Sequence, residues 1–259
     1  MAKLSRGKLI ISSIALVGCL MTAFALYRQV RQARLDHKLI RALRHLDSAS
    51  ALEALTDGAN ANVHEVPETS PSFLQMLKSV FVRPRRDPAT DAPSALMVAI
   101  NWRELDAAHE ANFRIDNHTP VFTPPQDPRV ITALLDHGAD MRVKNEIGLS
   151  PIHIAAWVGE STTVRLLLEH GINPNVQGDE GDFQFSRPTP LILAIDRCWG
   201  VKAKGNLAVI RTLIDKGADI DTLRDDADET ALSLAKEREN PEVLALLKAA
   251  LKSERRKKQ

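Results

Sequence analysis

Hydrophobic positions along this chain fall into two regimes. From Leu9 to Tyr27 nineteen consecutive residues, LIISSIALVGCLMTAFALY, carry no charge, and basic residues bound the run on both sides: Lys3, Arg6 and Lys8 before it, Arg28, Arg31 and Arg34 after it. At about 1.5 Å per residue, a helix of that length just spans a hydrocarbon core of about 30 Å. Beyond it, apolar residues come in short groups at helical spacing, such as Val164, Leu167 and Leu168, closed by glycine after two polar residues. That spacing buries one face of a short helix against a neighbour. The pattern predicts a transmembrane anchor over 9–27, a basic stalk helix over 28–46 that runs into the first repeated unit, and a body of short paired helices.

The closing phrases repeat. Leu55-Thr56-Asp57-Gly58-Ala59-Asn60, Leu135-Asp136-His137-Gly138-Ala139-Asp140, Leu168-Glu169-His170-Gly171-Ile172-Asn173 and Ile214-Asp215-Lys216-Gly217-Ala218-Asp219 align on their glycines, and Gly138 to Gly171 is 33 residues. Glycine at that point accepts the left-handed conformation that closes a helix. A second phrase opens a helix: Ser150-Pro151-Ile152-His153-Ile154-Ala155-Ala156 and Thr189-Pro190-Leu191-Ile192-Leu193-Ala194-Ile195, with weaker copies beginning at Ser94 and Thr230. Serine or threonine caps the helix, and proline in the first turn loses no hydrogen bond.

These phrases and their 33-residue spacing resemble the ankyrin repeat family over roughly residues 37–250. The resemblance implies an all-α solenoid of five helix-turn-helix units, at 37–62, 91–142, 145–175, 186–220 and 228–250, with no catalytic role, cofactor or metal expected. Departures from the plain period mark inserts at about 63–90, 103–127, 176–187 and 198–205, and loops of a solenoid are where its binding specificity lies. Residues 1–8 and 251–259 read as basic tails.

Charge changes the picture of partners. Residues 1–44 carry nine Lys/Arg against Asp36 alone, and 252–259 carry five against Glu254, so 45–251 holds 20 basic and 31 acidic residues. A body of that sign repels phosphate backbones, which disfavours nucleic acid and favours a protein partner, with the membrane reached through the N-terminal helix. Aromatic residues make up only 4% of the chain, which favours helices over a β-sandwich.

The surface of such a repeat array that the resemblance implies for binding is the concave face and its loops. Trp102, Trp157 and Trp199 each follow the first helix of a different unit, with Arg197 beside the last, and tryptophan and arginine are favoured interface anchors. Phe73 and Phe81 lie in an insert segment, 71–81, whose apolar spacing predicts a short amphipathic helix. Local packing under the inserts is the alternative for all of these rings.

No phosphate-binding glycine loop, nucleotide fingerprint or paired-cysteine metal site is present, and His64-Glu65 and His109-Glu110 each lack the second histidine of a zinc helix. An enzyme site, the alternative function, would have to be built in the inserts around His109, Asp116 and His118. His153 falls where the resemblance implies a side chain bonding backbone groups of neighbouring loops; the parallel positions carry Met97, Ile192 and Ser233. The expected location is a single-pass membrane protein of a bacterial inner membrane. Leu16-Val17-Gly18-Cys19 leaves a periplasmic lipoprotein as an alternative, Ala23-Phe24-Ala25 leaves cleavage as another, and the side on which the body lies stays open.

Overall fold

The computed structural model describes residues 4–64, 93–100, 127–145, 147–179, 187–196, 203–221 and 230–257; within these, the side chains of 4–18, 203–205, 254–255 and 257 are outside the description. Most of the first two inserts, the expected amphipathic helix at 71–81 included, and residues 180–186 and 197–202 fall outside the described residues. The described helices are α1 (Leu4–Arg44), α2 (Ser48–Thr56), α3 (Ala95–Ala99), α4 (Pro128–Asp136), α5 (Pro151–Val158), α6 (Ser161–Glu169), α7 (Pro190–Asp196), α8 (Ala203–Asp215), α9 (Ala231–Glu237) and α10 (Pro241–Lys257). The one β pairing among the described residues is an isolated antiparallel bridge between His64 and Ser94.

The local chemistry of each helix end follows the phrases. Ser94 Oγ accepts from Met97 N–H at 3.4 Å and Thr230 Oγ1 from Ser233 N–H at 3.2 Å, each satisfying a donor that the first turn leaves free. Asp47 caps α2 by accepting from Ser50 N–H at 3.1 Å. At the other ends Gly58, Gly138, Gly171 and Gly217 have φ between 79° and 99°. That left-handed turn lets the next residue bond back into the helix, as Ala139 N–H does to Leu134 O at 2.9 Å and Ala218 N–H to Leu213 O at 2.9 Å.

Packing then sorts the helices into two rows. α1, α3, α5, α7 and α9 each lie against the next in one row; α2, α4, α6, α8 and α10 do the same in the other. Rungs between the rows pair α1 with α2, α3 with α4, and so on to α9 with α10. The core runs the length of the stack, from Leu39, Leu43 and Leu55 at one end, through Leu96, Leu134, Ile154 and Leu167, to Leu234 and Leu247 at the other. Alanines sit where the rows meet, at Ala51, Ala54, Ala95, Ala155, Ala156, Ala194 and Ala235, all buried. Small side chains there let the helices approach closely enough for the leucines to interdigitate.

Helix α1 runs unbroken from Leu4 to Arg44, through the run at 9–27 and most of the stalk at 28–46, and its last turns are the first helix of the array. At the other end α10 continues through the basic residues to Lys257. Lysine and arginine are good helix formers, and at a helix C-terminus their charge faces the negative end of the macrodipole. Among the residues described with side chains no helix is long and apolar enough to cross a membrane. Those residues begin at Cys19 and so include only part of the apolar run.

Candidate functional site

His153 is fully buried on α5 and bonded through both ring nitrogens. Nδ1 accepts from the Ser150 N–H at 3.2 Å and from the Ser150 hydroxyl at 2.8 Å. Nε2–H donates to the carbonyls of Val176 at 3.1 Å and Pro188 at 3.0 Å. One imidazole thereby closes the cap of its own helix and ties the two loop strands that follow the third repeat. The neutral Nε2–H tautomer satisfies every partner. Burial, which the two carbonyl bonds offset only in part, pushes its pKa down from 6.5 to about 4. The Ser150 hydroxyl is itself buried, 1% exposed, and is taken up in the helix cap, and among the described residues no carboxylate bonds the ring, so the pair holds structure.

A second set of side chains joins one repeat to the next. Asn60, Asp140, Asn173 and Asp219, which end the closing phrases, each accept from the backbone N–H two residues on, at 2.8 to 3.0 Å. Two of the residues at that following position reach across. Asn62 Nδ2 donates to Gly138 O at 2.8 Å while its Oδ1 accepts from Asp140 N–H at 2.6 Å. Asn175 repeats the pair on Gly217 O at 3.1 Å and Asp219 N–H at 2.7 Å. Each asparagine uses both ends of its amide to read the turn of the next unit. Between the second and third repeats the position holds Arg142, whose guanidinium has no partner among the described residues, and no such rung forms. Arg142→Asn is therefore expected to add the rung and raise stability by about 1 kcal/mol. A urea midpoint no higher than that of the parent chain would count against the geometry.

The loop tips are locked where the backbones meet. Asp179 N–H donates to Gly148 O at 3.0 Å, and Lys144 Nζ lies 2.5 Å from Asp179 Oδ1 and 3.2 Å from Gln177 O. Gly148 has φ +74°, and a Cβ on it would stand 2.5 Å from Asp179 Cβ and 2.9 Å from Asp179 N. Neither the conformation nor the space admits a side chain. Gly148→Ala is expected to cost at least about 2 kcal/mol, read from the shift of the thermal unfolding midpoint.

Of the residues proposed above to grip a partner, Trp157 alone is described. It is 2% exposed at the end of α5, so its indole packs within the array and presents no surface to a partner. Trp102, Trp199, Arg197, Phe73 and Phe81 lie outside the described residues, as do His109, Asp116 and His118. Among the described residues no group of three His, Cys, Asp or Glu side chains could hold a metal ion.

Sequence reasoning missed a buried ion pair. Asp196, the last residue of α7 and 3% exposed, bonds Arg238, the cap of α9, 42 residues further on. A carboxylate at a helix C-terminus faces the negative end of the dipole, and the guanidinium offsets that repulsion. No local motif marks such a pair.

A family model described as ankyrin repeats in three copies matches residues 71–178 and 123–223, together more than half of the chain. Zygote-specific protein 3 of Chlamydomonas reinhardtii is 33% identical over 105 residues, which are 36% of this chain and 27% of that protein. The E3 ubiquitin-protein ligase KEG of Arabidopsis thaliana is 38% identical over 56 residues, 22% of this chain and 3% of that protein. The chain thus matches about a quarter or less of the length of these curated relatives. Paired helices in two rows, glycine-closed turns, the histidine frame and the family match agree: this chain belongs to the ankyrin repeat family.

Proposed function

We propose that this protein is a membrane-tethered protein-interaction module, held in a bacterial inner membrane by α1 and gripping a protein partner through the repeat array and its inserted loops. The array itself carries the reading. His153, Asn62, Asn175 and the turn glycines hold one repeat to the next, so specificity is left to surface side chains and loops. The acidic balance of 45–251 points away from nucleic acid and towards a protein surface.

The tether rests on α1. Leu20, Phe24 and Tyr27 recur at i, i+4 and i+7, and with Met21 they are 58% to 66% exposed, uncovered by the rest of the chain. In water such a surface is unfavourable; lipid would cover it. In cells the chain should stay with membranes after extraction at alkaline pH, and recovery in the soluble fraction would overturn the tether. A reporter active only outside the cytoplasm, fused after Gln259, would place the array on one side. Pull-down from membranes should lose the partner when 63–90 and 103–127 are deleted. Turnover of a substrate by the purified chain without any partner would instead favour a site built by the inserts.

A further inference from the structure

The turn of the first repeat is met by α1 itself, yet it is read in the same way as the turns of the second and fourth repeats. Gln32 Nε2 donates to Gly58 O at 3.1 Å, and Asp36 Oδ1 accepts from Asn60 N–H at 2.7 Å. These are the carbonyl of the closing glycine and the N–H two residues on. Asn62 takes the same two atoms from Gly138 and Asp140, and Asn175 takes them from Gly217 and Asp219. A single asparagine on a turn does this with the two ends of one amide. On α1 the task is divided between two side chains one helical turn apart, and Gln32 Nε2 also donates to Asp36 Oδ1 at 2.8 Å, so the two act as a unit.

The helix geometry makes this a clamp. At 100° per residue, Gln32, Leu35, Asp36, Leu39 and Leu43 share one stripe of α1, and Leu39 and Leu43 are buried in the core while Leu35 packs against it. Arg31, Arg34, Lys38 and Arg41 fall on the other side of the helix. The apolar contact alone would leave α1 able to swing about Leu39 and Leu43. Gln32 lies about 10 Å further along the axis at 1.5 Å per residue, and a bond there resists that swing.

We infer that α1 stands in for a missing preceding repeat, with the Gln32–Asp36 pair as its rung, and so fixes the direction in which the helix leaves the array. Because α1 is unbroken from Leu4 to Arg44, the direction set at Gln32 is carried to the apolar residues 9–27. A partner's pull on the array would then tilt the helix, and the reverse. This joint does not depend on the bilayer, so its test and that of the tether are separate.

The test uses the full chain in detergent, with Cys19→Ser and Cys198→Ser, and spin labels on Arg34→Cys, which lies on the side of α1 away from Gln32 and Asp36, and on Lys216→Cys, both positions being exposed. Pulsed dipolar spectroscopy should show one narrow distance distribution in the parent. Gln32→Ala with Asp36→Ala should at least double its width while helical circular dichroism is unchanged. Gln32→Ala alone, which removes only the donor half, should give an intermediate width even if the double variant does not fold. Asp36→Asn keeps the acceptor oxygen and should keep the narrow distribution. Alanine variants as narrow as the parent would overturn the clamp, and so would an Asp36→Asn variant as broad as Asp36→Ala.

Discussion

Replacing His153 by methionine is expected to lower the unfolding free energy by about 3 kcal/mol at pH 7.5 but by only about 1 kcal/mol at pH 5. Methionine fills the volume, as Met97 does at the parallel position of the second repeat, so the loss comes from polar groups and not from a cavity. The Ser150 N–H and the Val176 carbonyl lose the partner described for them. Each buried polar group left unpaired costs about 1 to 3 kcal/mol.

The pH term has the opposite sign. Above pH 6.5 the ring is neutral folded and unfolded, and it adds no pH dependence. Between 6.5 and about 4 the unfolded chain binds a proton that the folded chain refuses, so stability falls as the pH falls through that window. Below about 4 both states are protonated and the fall stops. At pH 5 the term amounts to about 2 kcal/mol against the native chain, and the methionine variant lacks it. Urea midpoints of the two proteins at pH 7.5 and pH 5 give the difference directly. A deficit of the same size at both pH values would mean that the ring is not held neutral.

Arg238→Met is expected to loosen the C-terminal repeat, at a cost of about 3 kcal/mol, because the buried Asp196 carboxylate loses the guanidinium bonded to it. Among the described helices α9 and α10 pack mainly on each other and on α7 and α8, so they have less to hold them than an interior pair. The loss should therefore appear locally. Amide exchange in α9 and α10 should speed up well before that in α5 and α6. Adding Asp196→Asn to Arg238→Met should recover part of the loss, since the buried charge that Arg238 faced is then gone. Uniform destabilisation of all repeats, or no recovery in the double variant, would refute the local ion-pair account.

The candidate site was legible only where it is local. The cap at Ser150 and the closing glycines lie within a few residues of what they bond, and their spacing repeats, so the sequence displays them, whereas the bonds of His153 to Val176 and Pro188 reach 23 and 35 residues on and were implied only by the family resemblance. Trp157 shows the limit. It falls near the end of a first helix where a surface ring is a fair expectation, but its exposure depends on what lies over α5, which no spacing along the chain encodes. Asn62 and Asn175 were visible as polar loop residues, and nothing nearby said that their amides reach the turn of the next repeat.

By itself, then, the sequence determined the period, the all-α class, the family resemblance and the uncharged run at 9–27. These follow from hydrophobic spacing, cap chemistry and glycine's access to positive φ, all set by residues a few places apart. Tertiary structure decided that the N-terminal run and the first repeat share one helix, that Gln32 and Asp36 grip Gly58 and Asn60, and that Asp196 meets Arg238 across 42 residues. Those contacts join residues far apart in the chain. They exist only once stacking has brought the repeats together, because burial, and not local propensity, chooses which distant polar groups must satisfy one another.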